Sequence, residues 1–152
     1  MPHATVSRRE RRFRRQTNPF AGILSCADSR IAPEYAFDSS RGDLFVCRVV
    51  CNFVNADNLA SFEFAVGALK FPLLLVLRHE ACGTIKATMS SVQDGVALPG
   101  HLPALAPAVK SVVDEPGDLL VRATRENVRR NVESLKTATP ILSALSMRDA
   151  GR

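Results

Sequence analysis

The chain has 152 residues, a formal net charge of +5 and 46% hydrophobic residues, which fits one globular domain with a substantial core. No apolar run approaches the roughly 18 residues of a transmembrane helix, so a membrane-spanning protein is not expected. The positive charge is concentrated, because residues 8–15 hold six arginines and Glu10. Removing these from the totals of 20 basic and 15 acidic side chains leaves 14 of each. We therefore divide the sequence into a basic N-terminal arm, residues 1–17, and a neutral domain, residues 18–152.

Three apolar segments predict β-strands: residues 21–25, Asp43–Val50 and Phe71–Leu77. Helical patterns separate or follow them. The first helix is predicted to begin near Pro33, and the second has the apolar face Leu59, Phe62, Val66 and Leu69, with Asp57 and Asn58 as cap candidates. The third covers 84–92, and the fourth ends at Val113. Val128, Val132 and Leu135 line the fifth, and the sixth runs from Thr139-Pro140 to near Leu145. Alternating strands and helices predict an α/β domain built on a parallel sheet.

Two short motifs each follow a predicted strand, and together they supply metal ligands. C-A-D-S-R contributes Cys26, and R-H-E-A-C-G contributes His79 and Cys82. Because the carboxyl ends of parallel strands meet at one edge of a sheet, these side chains are expected to converge. Two thiolates and an imidazole suit Zn²⁺ and leave a fourth position for water or a carboxylate. The alternative is two structural cysteines and an unrelated histidine.

We also have expectations for the other polar groups of these motifs and for the remaining cysteines. Asp28 and Arg30 stand two residues apart and could form an ion pair beside the metal. Cys82 precedes a predicted helix, whose positive end favours a thiolate. Cys47 and Cys51 are the other two cysteines of the chain, and buried core or interface cysteines are favoured over a redox dithiol.

C-A-D-S-R-I-A-P-E, G-D-L-F-V-C-R-V-V-C-N, A-S-F-E-F-A-V and H-E-A-C-G resemble, in order, the motifs of the β-class carbonic anhydrases. The likeness extends from about Asn18 to Ala144. It implies a zinc-dependent lyase (carbonate dehydratase) that interconverts CO₂ and bicarbonate by zinc-bound hydroxide. It also implies a homodimer or larger oligomer with active sites at the subunit interface.

The resemblance assigns roles to individual residues. Cys26, His79 and Cys82 would bind zinc, Asp28 and Arg30 would be catalytic, and Phe45, Phe64 and Gly83 would line the substrate pocket. Asp28 would either bind the metal and close the site or pair with Arg30 and leave it open. Closing members typically carry Trp three residues before the first cysteine ligand, where this chain has Ile23, so we expect the open arrangement. Arg48 matches an arginine at the end of a strand.

Several positions differ from the family pattern. Phe64 replaces a tyrosine, Cys51 and Arg78 replace glycines, and Glu80 replaces a small residue. We expect Arg78 to point away from the site and to pair with an acid such as Glu80 or one on the partner subunit. The C-terminal edge strand and part of the N-terminal helical arm that family members carry are expected to be missing.

These differences keep two other functions open. One is a weak or inactive zinc-binding relative with a structural role, and the other is a hydrolase of COS or CS₂. For the arm, the resemblance favours a short, solvated helix over phosphate or anionic-membrane binding, so nucleic acid is not an expected partner. Ser7–Phe13 is similar to a twin-arginine signal, but no apolar region follows, so a cytoplasmic location is expected.

Overall fold

The computed structural model of the protein describes residues 17–149, with side chains through Leu145. The basic arm, apart from Thr17, lies outside the described residues. Three strands are present: β1 (Ala21–Cys26), β2 (Leu44–Val49) and β3 (Leu74–Leu77). Six α-helices accompany them: α1 (Pro33–Ala36), α2 (Ala56–Leu69), α3 (Gly83–Asp94), α4 (Ala106–Lys110), α5 (Leu119–Thr137) and α6 (Pro140–Asp149). Short 3₁₀ helices cover Val50–Asn52 and Leu102–Leu105.

The sheet is parallel, and its strand order is β2-β1-β3. Strand β1 is central, and all six of its residues are buried, as expected for a strand covered on both faces. Cys26 ends this strand opposite Val49 of β2. The predicted parallel α/β sheet flanked by helices is therefore confirmed. Among residues 17–149, no helix is long and apolar enough to cross a membrane.

Two hydrophobic clusters form the core. The first contains Cys26, Cys51 and Cys82 together with apolar side chains of α3, α4 and α5. The second contains Leu24, Phe62 and Phe71 with neighbours from α2 and α6. Gly22 permits the close packing at the start of β1, because an added Cβ would lie 2.8 and 2.9 Å from ring atoms of Phe71.

Two local predictions are wrong. Helix α2 begins after Asn55, not after Asp57 or Asn58, because the Asn55 side chain accepts from the Asn58 N–H and the Asn58 side chain accepts from the Asn55 N–H. Strand β3 begins at Leu74 and not at Phe71. The last helix also continues to Asp149 instead of ending near Leu145. None of these differences changes the order of the elements.

Helix α5 also differs from expectation on its inner face. Its buried residues include Asn127 and Asn131, whereas Val128 and Val132 are only half-buried. The two asparagines hydrogen-bond to the backbone that follows β2: Asn127 Nδ2 donates to the Cys51 carbonyl and Asn131 Oδ1 accepts from the Val54 N–H. A polar inner face is stable here because its amides satisfy buried backbone groups.

Candidate metal centre

Cys26, His79 and Cys82 meet at the carboxyl ends of the strands. Cys26 is the last residue of β1, His79 follows β3 by two residues, and Cys82 is the residue immediately before α3. Their ligand atoms all lie within 4.8 Å of one another. Zn–S and Zn–N bonds of about 2.0–2.3 Å place tetrahedral ligands roughly 3.5–3.8 Å apart, so a small inward movement would accommodate the ion.

The state of His79 fits a metal ligand. Its Nδ1 lies 3.0 Å from the Glu80 carbonyl oxygen, which can only accept, so Nδ1 carries the proton. The lone pair is then on Nε2, which is buried and has no hydrogen-bond partner among residues 17–149. A buried nitrogen without a partner is costly unless a ligand uses it. Together with two thiols, this atom fits a zinc ion.

Cys82 is prepared to be a thiolate. A hydrogen bond from the Cys51 side chain, followed by the N–H groups of Ile85 and Thr84, lowers the pKa of Cys82 to about 5, although burial opposes the shift. The two N–H groups belong to the first turn of α3, where backbone donors have no partner within the helix. The predicted thiolate at this helix terminus therefore has a structural basis.

Asp28 and Arg30 form a two-point ion pair beside the ligands. Arg30 Nε donates to Asp28 Oδ1 over 2.9 Å, and Arg30 NH2 donates to Oδ2 over 2.7 Å. The side-chain and backbone hydrogen bonds from Arg30 hold the pKa of Asp28 well below its usual range. Asp28 Oδ2 lies 3.8 Å from His79 Nε2, outside hydrogen-bond distance. Both carboxylate oxygens are bonded to Arg30, so the expected ion pair is present, and the open arrangement of the site stays a prediction.

Two arginines connect the motif loops. Arg48, at the end of β2, donates to the carbonyl oxygens of Cys26 (3.0 Å) and Asp28 (2.7 Å). Arg30 NH2 also donates to the Ala81 carbonyl (3.2 Å), which belongs to the His79–Cys82 loop. Ala81 has a φ of 52°, a backbone conformation that non-glycine residues seldom adopt. These bonds fix the spacing of the two loops that carry the ligands.

The carbonic anhydrase family profile matches residues 21–150. Carbonic anhydrase 2 of Mycobacterium tuberculosis is 36% identical over 134 residues, which cover 88% of this chain and 65% of that protein. The chain belongs to the β-class carbonic anhydrase family. It thus spans slightly less than two thirds of the length of this curated relative.

Solved structures of the family have the same fold. The β-carbonic anhydrase CcaA is 25% identical with a TM-score of 0.74, and the alignment covers 91% of this chain and 74% of that one. The Coccomyxa β-carbonic anhydrase in complex with acetazolamide is 27% identical with a TM-score of 0.72, covering 91% of this chain and 66% of that one. The parallel sheet flanked by helices is thus the architecture of the family.

The predicted pocket residues do not gather around the ligands within one chain. Phe45 packs against Phe62 and Phe71 in the second core cluster, with ring centroids 6.2 Å apart in both pairs. Phe64 lies on α2 with 67% of its surface exposed. Gly83 alone adjoins the site, as the exposed first residue of α3. The substrate-pocket role of Phe45 and Phe64 stays a prediction.

Arg78 is exposed beside His79. Among the residues that the structure describes, it makes no ion pair, so the predicted pairing with Glu80 is wrong. The Glu80 backbone carbonyl, not its side chain, is the group that bonds to His79.

Sequence reasoning missed the contribution of Cys51 and Asn127. Cys51 is buried beside Cys26, whose Sγ accepts from the Cys51 N–H over 3.3 Å, and Asn127 Nδ2 donates to the Cys51 carbonyl over 2.8 Å. The sequence contained a signal for Cys51, since a cysteine at a position where the family has glycine indicates an unusual backbone conformation. The signal for Asn127 was its spacing from Asn131, because residues four apart on a helix share one face.

Proposed function

We propose that this protein is a zinc-dependent carbonic anhydrase that catalyses the reversible hydration of CO₂ to bicarbonate. The observation that carries the proposal is the compact Cys26–His79–Cys82 group with an unpartnered Nε2, found in a chain of the β-class family. In it, Cys26, Cys82 and His79 Nε2 would hold the ion. Bound Zn²⁺ would supply Lewis-acid activation of water near neutral pH.

Asp28 would orient the reacting water. Its low pKa keeps it ionised at neutral pH, so it serves as a hydrogen-bond acceptor and not as a proton donor. Arg30 holds both oxygens and thereby fixes the direction of the remaining lone pairs. Arg48 donates to the carbonyl oxygens of both Cys26 and Asp28 and thereby holds the Asp28 carboxylate and the first metal ligand in a fixed relation.

We also propose that the working form is a homo-oligomer. Phe64 and Tyr35 expose 67% and 90% of their surfaces in the single chain. A second copy would cover such side chains and could bring aromatic groups to the mouth of the site. Cross-linking and light scattering of the purified protein test this proposal, which a purely monomeric active enzyme would contradict.

Metal analysis is the first test of the proposed function. Protein purified under reducing conditions without chelator should contain about one zinc per chain, and Cys26→Ser should lose it. Cys47→Ser is the matched control, because Cys47 is a half-buried thiol in the second core cluster. Wild-type protein without zinc would contradict the proposal.

Activity is the second test. Stopped-flow CO₂ hydration should be measurable for the zinc-loaded protein, and acetazolamide, with which the Coccomyxa relative forms a complex, should suppress it. Asp28→Asn should keep zinc but lose about 10²- to 10⁴-fold in rate, because the orienting acceptor is gone. An unchanged rate would mean that Asp28 does not face the reacting water. A zinc-loaded protein without CO₂ hydration would favour a structural zinc protein, and sulfide release from COS or CS₂ would instead favour a hydrolase.

A further inference from the structure

The metal ligand Cys26 receives a hydrogen bond from a distant part of the chain. Its Sγ accepts from the backbone N–H of Asp28 over 3.5 Å, within the same motif, and from the backbone N–H of Cys51 over 3.3 Å. Cys26 and Cys51 have exposed fractions of 3% and 1%, so the second bond is shielded from water. Because Cys51 lies 25 residues away in the sequence, this bond depends on how the backbone after β2 is held.

The backbone at Cys51 has an unfavourable conformation. The φ angles of Cys51 and Asn52 are 60° and 44°, so two consecutive residues are left-handed. Non-glycine residues adopt this conformation at a cost and keep it only where their surroundings fix it. The Cys51 N–H therefore reaches Cys26 Sγ only while neighbouring groups hold this turn in place.

Helix α5 holds both ends of the turn through two buried asparagines. Asn127 Nδ2 donates to the Cys51 carbonyl over 2.8 Å, and the Val54 N–H donates to Asn131 Oδ1 over 2.7 Å. Between them, Asn131 Nδ2 donates to Asn127 Oδ1 over 3.2 Å. Asn127 and Asn131 are 6% and 7% exposed, so solvent is largely excluded from these bonds.

This chain of hydrogen bonds has one direction. The Val54 N–H can only donate and the Cys51 carbonyl can only accept, so the amide of each asparagine has a single orientation. Asn131 turns its oxygen to Val54 and its nitrogen to Asn127. Asn127 then turns its own nitrogen to Cys51. An aspartate in place of Asn127 would have the same size but would set an oxygen against the Cys51 carbonyl oxygen.

We propose that Asn127 is a positioning residue of the metal centre, which holds the Cys51 backbone so that its N–H bonds to Cys26 Sγ. The inference rests on the zinc site of the proposed function and adds a helix outside the ligand set. Groups that hydrogen-bond to metal ligands orient them and tune their electron donation, and their loss typically lowers metal affinity by about 10- to 100-fold. Asn127 acts one step further out, through the Cys51 backbone.

Two substitutions remove the donor, and a third is their control. Asn127→Asp keeps the size of the side chain but has no N–H to donate, and Asn127→Ala removes the amide. Thr124→Val is the control, because Thr124 is 5% exposed on the same helix and its hydroxyl donates to the Leu120 carbonyl within α5. It removes a buried hydrogen bond that does not lead to the ligands. Circular dichroism checks that each protein is folded.

Zinc affinity is measured by competition with a chromophoric chelator in reduced protein. We expect both Asn127 variants to bind zinc about 10- to 100-fold more weakly than wild type and Thr124→Val to remain within about threefold. Co²⁺ substitution supplies a signature that lost stability alone would not move. Because a hydrogen bond lowers the energy of the sulfur donor electrons, the thiolate-to-cobalt charge-transfer band should move to longer wavelength in both Asn127 variants and stay in place in Thr124→Val.

Amide hydrogen exchange of the zinc-loaded protein, followed by NMR, observes the Cys51 N–H directly. This amide should be protected in wild type and in Thr124→Val and should exchange faster in Asn127→Ala. A Cys51 amide that exchanges in wild type as fast as an exposed amide would overturn the proposal, even if neither Asn127 variant folds.

Zinc affinities and cobalt spectra of the Asn127 variants equal to those of Thr124→Val would overturn the proposal. A weaker affinity with an unmoved cobalt band would also overturn it, since Asn127 would then only stabilise the fold. A wild-type protein that binds neither zinc nor cobalt would instead refute the proposed metal centre itself. The two failures are therefore distinguishable.

Discussion

Replacing Asn127 by alanine tests whether helix α5 supports the metal centre. Asn127 is 6% exposed, and its amide is the donor to the Cys51 carbonyl. Without that donor, a buried carbonyl loses its partner, which costs about 1–3 kcal/mol. Alanine returns up to about 0.7 kcal/mol through its higher helix propensity. The net loss in the free energy of unfolding should therefore be about 0.3–2.3 kcal/mol.

Urea unfolding of the metal-free protein measures this loss, with Arg125→Ala as the control on the same helix. Arg125 is exposed, so its replacement should leave stability within about 0.5 kcal/mol of wild type. Asn127→Ala should also bind zinc more weakly, because it no longer holds Cys51, whose N–H donates to Cys26 Sγ. If Asn127→Ala were as stable as Arg125→Ala and bound zinc normally, the support attributed to α5 would be refuted.

Three further predictions concern packing, the exposed arginine and pH. In thermal or urea unfolding, Gly22→Ala should destabilise the protein by about 1–3 kcal/mol, because its Cβ would meet the Phe71 ring. Gly67→Ala, which has open space around it on α2, should stabilise the protein by about 0.5–1 kcal/mol. Equal effects of the two substitutions would contradict the packing described for Gly22. Arg78→Gly should leave the CO₂ hydration rate within about twofold, and a large rise would mean that Arg78 obstructs the site. The pKa of Cys82 in the folded protein, about 5, is lower than that of a cysteine in an unfolded chain, about 8.5. The stability that this thiolate adds to the metal-free protein is therefore complete above pH 8.5 and is lost as the pH falls towards 5. Urea unfolding at pH 6 and 8 should therefore show a smaller pH dependence in Cys82→Ser, and an equal dependence would refute the shift.

The sheet and the ligand set could be predicted because their signals are local. Strands β1 and β3 are short apolar runs, and Cys26 and His79 come directly after such runs. Parallel pairing then brings the strand ends together by geometry alone. The Asp28–Arg30 pair was predictable for the same reason, since only Ser29 separates its members in the sequence.

The supporting residues could not be predicted, because their signals depend on tertiary contacts. Cys51 resembles any core cysteine until its left-handed backbone and its two sulfur neighbours are known. On α5, hydrophobic periodicity predicted that Val128 and Val132 would be buried. Asn127 and Asn131 are buried instead, because they hydrogen-bond to the Cys51 carbonyl and the Val54 N–H. The pocket role assigned to Phe45 stays a prediction, because the assignment came from sequence motifs and not from contacts.

The central position of β1 also determines when the metal can be captured during folding. Cys26 lies on this strand, and Cys82 follows 56 residues later in sequence, so no local turn can unite them. Closing a loop of that length costs about 3–4 kcal/mol of chain entropy, which the β1–β3 pairing must repay first. We therefore expect zinc to bind after this pairing has closed the loop. Metal should slow unfolding strongly while leaving the refolding rate almost unchanged.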